Sequence, residues 1–96
     1  MPSGYVVAQI NVQNMEVYKS YIALVLPTIE AFGGEFLARG GKSVSYEGEP
    51  VGDRNVIIRF PSYDAAYNWY HSDEYAYAKS IRMSASTSVQ TIIEGV

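Results

Sequence analysis

Hydrophobic and polar positions alternate with a period of two over residues 5–12. Val6, Ala8, Ile10 and Val12 share one face, and Tyr5, Val7, Gln9 and Asn11 share the other. The pattern predicts a strand that is apolar on one side and mixed on the other. Asn14 then offers a helix cap, with Glu16 in the first turn, where the helix dipole favours a carboxylate. Tyr18, Tyr21, Ile22, Val25, Ile29 and Phe32 recur at helical spacing. Pro27 interrupts that run. It lacks an amide donor and crowds the Ala23 carbonyl, so a kink or a broken helix is expected there. Gly33-Gly34 closes the helix, because glycine takes a left-handed cap without a steric penalty.

Residues 35–47 read as a strand, or two short ones, with a bulge or close backbone approach at Gly40-Gly41. The stretch 48–53 has the composition of a hairpin loop. Residues 54–60 form a third strand, with Val56, Ile58 and Phe60 on one face and Asn55, Ile57 and Arg59 on the other. Ser62 caps a second helix with Asp64 in its first turn. Ser72 offers a fresh cap followed by Asp73 and Glu74, so two helical pieces are expected, at 63–71 and 73–83. Residues 86–94 alternate again: Thr87, Val89, Thr91 and Ile93 oppose Ser88, Gln90, Ile92 and Glu94.

The order strand, helix, strand, strand, helix, strand is the ferredoxin-like βαββαβ pattern of an α+β protein. Right-handed crossovers put the helices on one face of a four-stranded antiparallel sheet. The expected open face carries Tyr5, Val7, Ile57 and Ile92 beside Gln9, Asn11, Asn55, Arg59 and Gln90. A face this apolar is seldom left in water, and a two-fold homodimer covers it twice at once, as a dimeric α/β barrel. Gln9, Asn11 and Arg59 would then hydrogen-bond across the dimer axis.

Ninety-six residues suffice for one domain, residues 1–96. The net charge of −3 and the scattered Lys and Arg argue against nucleic acid as a partner. No apolar run approaches a membrane span, and the first residues lack the build of a signal peptide, so a cytoplasmic protein is the expectation. With no cysteine, thiolate metal sites and cysteine nucleophiles are excluded. Five of the nine tyrosines fall between residues 63 and 77, an aromatic bias with a single tryptophan, Trp69, in its midst.

Several of these runs resemble a family. Tyr18…Tyr21…Pro27…Phe32-Gly33-Gly34…Leu37-Ala38-Arg39-Gly40-Gly41 is similar to the domain-of-unknown-function family numbered thirteen-thirty. So are Gly48…Arg54…Phe60-Pro61-Ser62, Ala66…Trp69-Tyr70-His71-Ser72-Asp73-Glu74-Tyr75 and Arg82. The resemblance implies the dimeric α/β-barrel superfamily, which includes cofactor-independent monooxygenases and muconolactone isomerases. The chain departs from the pattern at Arg59, where relatives often carry an acid.

Trp69, Tyr70, His71 and Tyr75 straddle the break between the two helical pieces. One reading is an aromatic-walled cleft in which Trp69, Tyr70 and Tyr75 bind a ligand and His71 moves a proton, since an imidazole titrates near neutrality. The plainer account makes Trp69 and Tyr75 core anchors and His71 an exposed neighbour of the cap. Arg39, beside Gly40-Gly41, is a candidate catalytic clamp for a carboxylate or enolate, and Arg82 a candidate ligand-binding cation. For both arginines the favoured account is an ion pair with Glu35, Glu74 or another acid. The cluster His71-Ser72-Asp73-Glu74 is a poor metal set, so neither metal nor cofactor is expected. A cofactor-independent enzyme, monooxygenase- or isomerase-like, acting on a small organic acid or ketone is one expectation. A non-catalytic small-molecule-binding module or a structural dimer is the other.

Overall fold

The computed structural model describes residues 1–96. Strand β1 (Gly4–Val12) leads into helix α1 (Met15–Glu30), followed by β2 (Glu35–Arg39), β3 (Arg54–Phe60), α2 (Tyr63–Tyr70), α3 (Asp73–Ala85) and β4 (Ser86–Glu94). The strands form one antiparallel sheet in the order β2-β3-β1-β4. This is the ferredoxin-like α+β arrangement expected from the order of elements.

The helices cover one face. Val6, Ala8 and Ile10 of β1 and Val56, Ile58 and Phe60 of β3 point beneath them and are buried with Tyr18, Tyr21, Val25 and Ile29 of α1. The Ala85 carbonyl at the end of α3 accepts from the Gln13 and Asn14 amides, at 2.8 and 3.1 Å, which ties the start of α1 to the end of α3. Each helix begins where its cap predicts. Asn14, Ser62 and Ser72 accept from the amides of Val17, Ala65 and Tyr75, all at 3.1 Å. Ser72 also donates to the Trp69 carbonyl at 2.7 Å, so one hydroxyl closes α2 and opens α3.

The structure decides one open expectation and corrects two. Helix α1 is continuous through Pro27 to Glu30, which excludes the break, one of the two outcomes expected there. Pro27 and Ala23 are both exposed, so water can satisfy the orphaned Ala23 carbonyl, while the buried Val25 and Ile29 hold the last turns against the sheet. The chain then turns with Gly33 at φ 77°, and the Gly34 amide reaches back to the Ile29 carbonyl at 3.0 Å, a Schellman closure. Strand β2 stops at Arg39, its irregularity lies between Phe36 and Ala38 and not at Gly40-Gly41, and residues 40–53 form no regular structure. With both sides of that segment facing solvent, nothing selects a pleated conformation.

The second correction concerns β4. Gln90 and Ile92 pair with Ala8 and Val6 and so lie on the helix-covered face, not the open one. Thr87, Val89, Thr91 and Ile93 take the open face, beside Tyr5, Val7, Gln9 and Ile57. On that face Arg59 forms the chain's one ion pair, with Glu35 directly across from it on β2. Gln9 accepts from the Val51 amide at 2.7 Å and lies 3.4 Å from the Asn55 carboxamide oxygen. Both side chains therefore have partners within their own chain.

Candidate functional site

Between helix layer and sheet the structure assembles a polar network in an apolar setting. The Tyr21 and Tyr75 hydroxyls lie 2.9 Å apart, joining α1 to α3. Arg82, one face of α3 further on, donates from Nε to the Tyr75 hydroxyl at 3.2 Å and from Nη1 to Ser88 Oγ at 3.0 Å. Turned so that its oxygen faces the guanidinium, the Gln90 carboxamide can accept from Nη1 at 3.0 Å and Nε at 3.3 Å. Arg82 is only 4% exposed, yet no carboxylate meets it, which overturns the expected ion pair. An arginine stays charged at any accessible pH, and a charge taken out of water is costly unless its surroundings compensate. Here only neutral dipoles do so.

The same burial acts on the phenols. Desolvation pushes the Tyr21 hydroxyl far above its ordinary range, reinforced by Tyr75. Burial raises Tyr75 as well, partly offset by the adjacent Arg82. Both are therefore neutral donors, not bases. Raised folded-state values make this part of the stability full below the ordinary phenol pKa of 10.0 and progressively lost above it, because the unfolded chain releases protons that the native chain holds. In an alkaline titration followed by phenolate absorbance, Tyr21 and Tyr75 are expected to ionise only as the chain unfolds. Tyr21→Phe should move the alkaline unfolding midpoint upward. Ionisation of these two phenols in the folded chain would contradict their burial.

A cavity of about 20 Å³, the size of about one water, adjoins this network. Tyr18, Tyr21, Trp69 and Gln90 line it, with Arg39 and Arg54 at the side of β2 and β3. No Asp, Glu or His is among its lining residues. Arg82 and Tyr75 stand behind the wall, and they reach the cavity through Gln90 and Tyr21.

The sequence-predicted residues are divided by the fold. Trp69 and Tyr75 are fully buried and stacked on each other, with ring centroids 4.0 Å apart, and the Trp69 indole donates to Thr28 Oγ1 at 3.0 Å. Arg39 is exposed, donates to the Ile22 carbonyl at 3.0 Å and stacks over Phe36 at 4.2 Å. Glu35, its expected partner, binds Arg59. His71 caps α2 and packs on Tyr67 at 4.4 Å, outside the cavity. It lines an open groove of about 420 Å³ between α2 and β4, together with Tyr63, Tyr67, Tyr70 and Thr91. Tyr70 is half-buried there, with Lys79 over its ring. Thus His71 and Arg39 do not meet. Gln90 and Val6, which line both spaces, stand between the groove and the inner cavity.

Three members of the network, Tyr21, Ser88 and Gln90, are not among the candidates that the sequence singles out. Tyr21 read as part of an apolar helical stripe, although a buried tyrosine hydroxyl calls for a partner. Gln90 was placed on the opposite face of the sheet. No cluster of three or more His, Cys, Asp or Glu side chains is formed, and no helix is long and apolar enough to cross a membrane.

Comparison with solved structures bears on the fold. The RPA0582 protein of unknown function from Rhodopseudomonas palustris superposes with a TM-score of 0.80 at 18% identity, covering 99% of this chain and 83% of that one. A dimeric ferredoxin-like protein of unknown function from Jannaschia sp. CCS1 gives 0.69 at 9% identity, covering 96% and 98%. SnoaB, a cofactor-independent oxygenase from Streptomyces nogalater, gives 0.65 at 12% identity, covering 97% and 92%. At such identities the likeness is one of fold. No curated protein matches the chain in sequence. A family model does match, over residues 3–96, and the chain therefore belongs to the family described as domain of unknown function DUF1330.

Proposed function

We propose that the chain is a small cytoplasmic homodimer that binds a small organic acid or ketone between its helix layer and its sheet, with chemistry of the cofactor-independent oxygenase or isomerase type. The observation that carries this is the buried, uncompensated Arg82. Its field is directed through Tyr75 to the Tyr21 hydroxyl and through Gln90 to the cavity wall, so it favours negative charge on a single ligand oxygen that takes the one-water space there, with the body of the ligand outside it. Preorganised donors of this kind stabilise an enolate more than the neutral ketone. Because the lining lacks a carboxylate and an imidazole, the substrates best suited are those that ionise readily without a strong base. A binding module that holds such an anion without turning it over uses the same residues.

SnoaB shares the fold and is a cofactor-independent oxygenase, which agrees with this reading. In the homodimer the open sheet faces pack together, with Val7, Ile57, Val89 and Ile93 at the contact, and the dimeric Jannaschia relative has the same subunit fold.

The test uses Trp69, the only tryptophan, as reporter. Titration with small carboxylates and enolisable ketones is expected to change Trp69 emission and shift the Tyr21 and Gln90 amide resonances. Arg82→Met should weaken that binding by at least about tenfold, and a cooperative melting curve checks that the fold survives the loss of the Arg82 contacts to Tyr75 and Ser88. Ligand shifts confined to residues away from the cavity, or undiminished in the variant, would rule the site out.

In the alternative, chemistry takes place in the outer groove, where His71 and Tyr70 face a ligand directly. His71→Ala would then abolish turnover with binding at the inner cavity unchanged.

A further inference from the structure

The segment 40–53 joins the neighbouring strands β2 and β3 with no regular structure of its own. A hairpin needs only about two to five residues to turn, and a loop this much longer usually has a task. Its two ends are fixed to the sheet. The Gly40 amide donates to the Asn55 carbonyl at 2.8 Å, and the Asn55 carboxamide donates to Ser43 Oγ at 3.1 Å. On the return, the Val51 amide donates to Gln9 Oε1 at 2.7 Å, and Gly52 lies so close to the Ile10 carbonyl that a Cβ has no room. Gln9 and Asn55 stand opposite each other on β1 and β3, on the open face, next along it from Val7 and Ile57. Side chains of the open face therefore hold both ends of the loop.

Between these anchors the tip has no cover. Val44 and Tyr46 alternate with Ser43, Ser45 and Glu47, the pattern of an extended segment with one apolar side. Yet Tyr46 is 90% exposed and Val44 69%. Gly48, at φ 81° with open space where a Cβ would be, turns the chain back. Single apolar residues in water are ordinary. Here an apolar side lies at the end of a loop rooted in the face that the proposed homodimer covers. Glu47 and Glu49 beside the tip disfavour an anionic lipid surface as its cover.

We infer that residues 43–51 form an arm that crosses the dimer boundary and packs Val44 and Tyr46 on the partner subunit. A two-fold axis repeats the contact, so each subunit gives one arm and receives one. A tyrosine is suited to this role, because it brings a large ring with few side-chain torsions to freeze. The alternation of residues 43–47 then acquires the packing surface that their own chain does not offer. This assignment rests on the proposed homodimer and names the segment that grips it.

The experiment uses the double variant Val44→Ser with Tyr46→Ser, and Tyr77→Ser as the control. Tyr77 is as open to water, on α3 in the helix layer. Sedimentation with fluorescence detection is expected to show the dimer dissociation constant raised at least about tenfold in the double variant and unchanged in the control. In the monomeric Val7→Asp background the double substitution should leave the melting temperature unchanged. In dimers mixed from isotope-labelled and unlabelled chains, filtered nuclear Overhauser spectra should show contacts from the Tyr46 ring to methyl groups of the other subunit.

A dimer without intersubunit contacts of Tyr46 overturns the arm and leaves the sheet-to-sheet dimer standing. So does an affinity that the double variant leaves unchanged, or that Tyr77→Ser weakens as much. A lower melting temperature in the monomeric background also overturns it, since Tyr46 and Val44 would then pack within their own chain. A wild-type chain that stays monomeric at micromolar concentration overturns the dimer and the arm together.

Discussion

Trp69→Ala is expected to destabilise the chain by about 3–5 kcal/mol and to lower its melting temperature by roughly 15 °C or more. The indole fills the space between α2, α3 and the sheet. It stacks on Tyr75, lies 5.4 Å from the Phe60 ring and donates to Thr28 Oγ1, whose own hydroxyl donates to the Val25 carbonyl at 2.6 Å. Truncation therefore opens a large void and strands one polar contact on α1. With total stability typically about 5–15 kcal/mol, a domain this small retains little after such a loss. Trp69→Phe should cost much less, because the ring volume is largely kept and only the indole donor goes. Thermal unfolding by circular dichroism checks both. A melting temperature within about 5 °C of wild type for the alanine variant would mean that Trp69 is not the core anchor its contacts describe.

The second large effect is expected on the opposite face. Val7 sits mid-strand, with Ile57 and Thr91 directly beside it, and is exposed on the open face. In the proposed dimer it is buried near the contact. Val7→Asp should therefore weaken self-association by about a thousandfold, roughly 4 kcal/mol, because a carboxylate is desolvated there without a partner. In the isolated subunit the same substitution faces water and should cost about 1 kcal/mol or less. Sedimentation at micromolar concentration is expected to show a dimer for wild type and a folded monomer for Val7→Asp. A wild-type chain that is monomeric under those conditions would remove the sheet-to-sheet dimer.

These two residues also show how differently parts of the molecule can be read. The burial of Trp69 and Tyr75 was one of two accounts open from sequence, because an aromatic at helical spacing serves a core or a cleft equally well. Pro27 alone does not decide between a kink and a break, since its effect depends on whether the carbonyl it orphans faces solvent or protein. Residues 43–47 carry alternating polar and apolar side chains, yet they form no regular structure because neither side finds a surface to pack on. Gln90 is the most consequential case. Alternation divided β4 correctly into two sets of residues, but it carries no sign, and the two sets look alike: each holds apolar residues among Ser, Thr, Gln or Glu.

Local chemistry was enough to set the order of elements. Side-chain periodicity, three side-chain caps and a glycine turn each act within a few residues, so the chain itself dictates strands, helices and their sequence, and hence a sheet with helices on one side. Which face of β4 lies beneath those helices, and that Arg82 lies there without an acid, came only with the folded molecule. Tyr21 and Tyr75 are 54 positions apart, and Gln90 meets Arg82 through the pairing of β4 with β1. Such contacts follow from strand register and helix packing over long separations, on which the pattern of neighbouring residues has no hold.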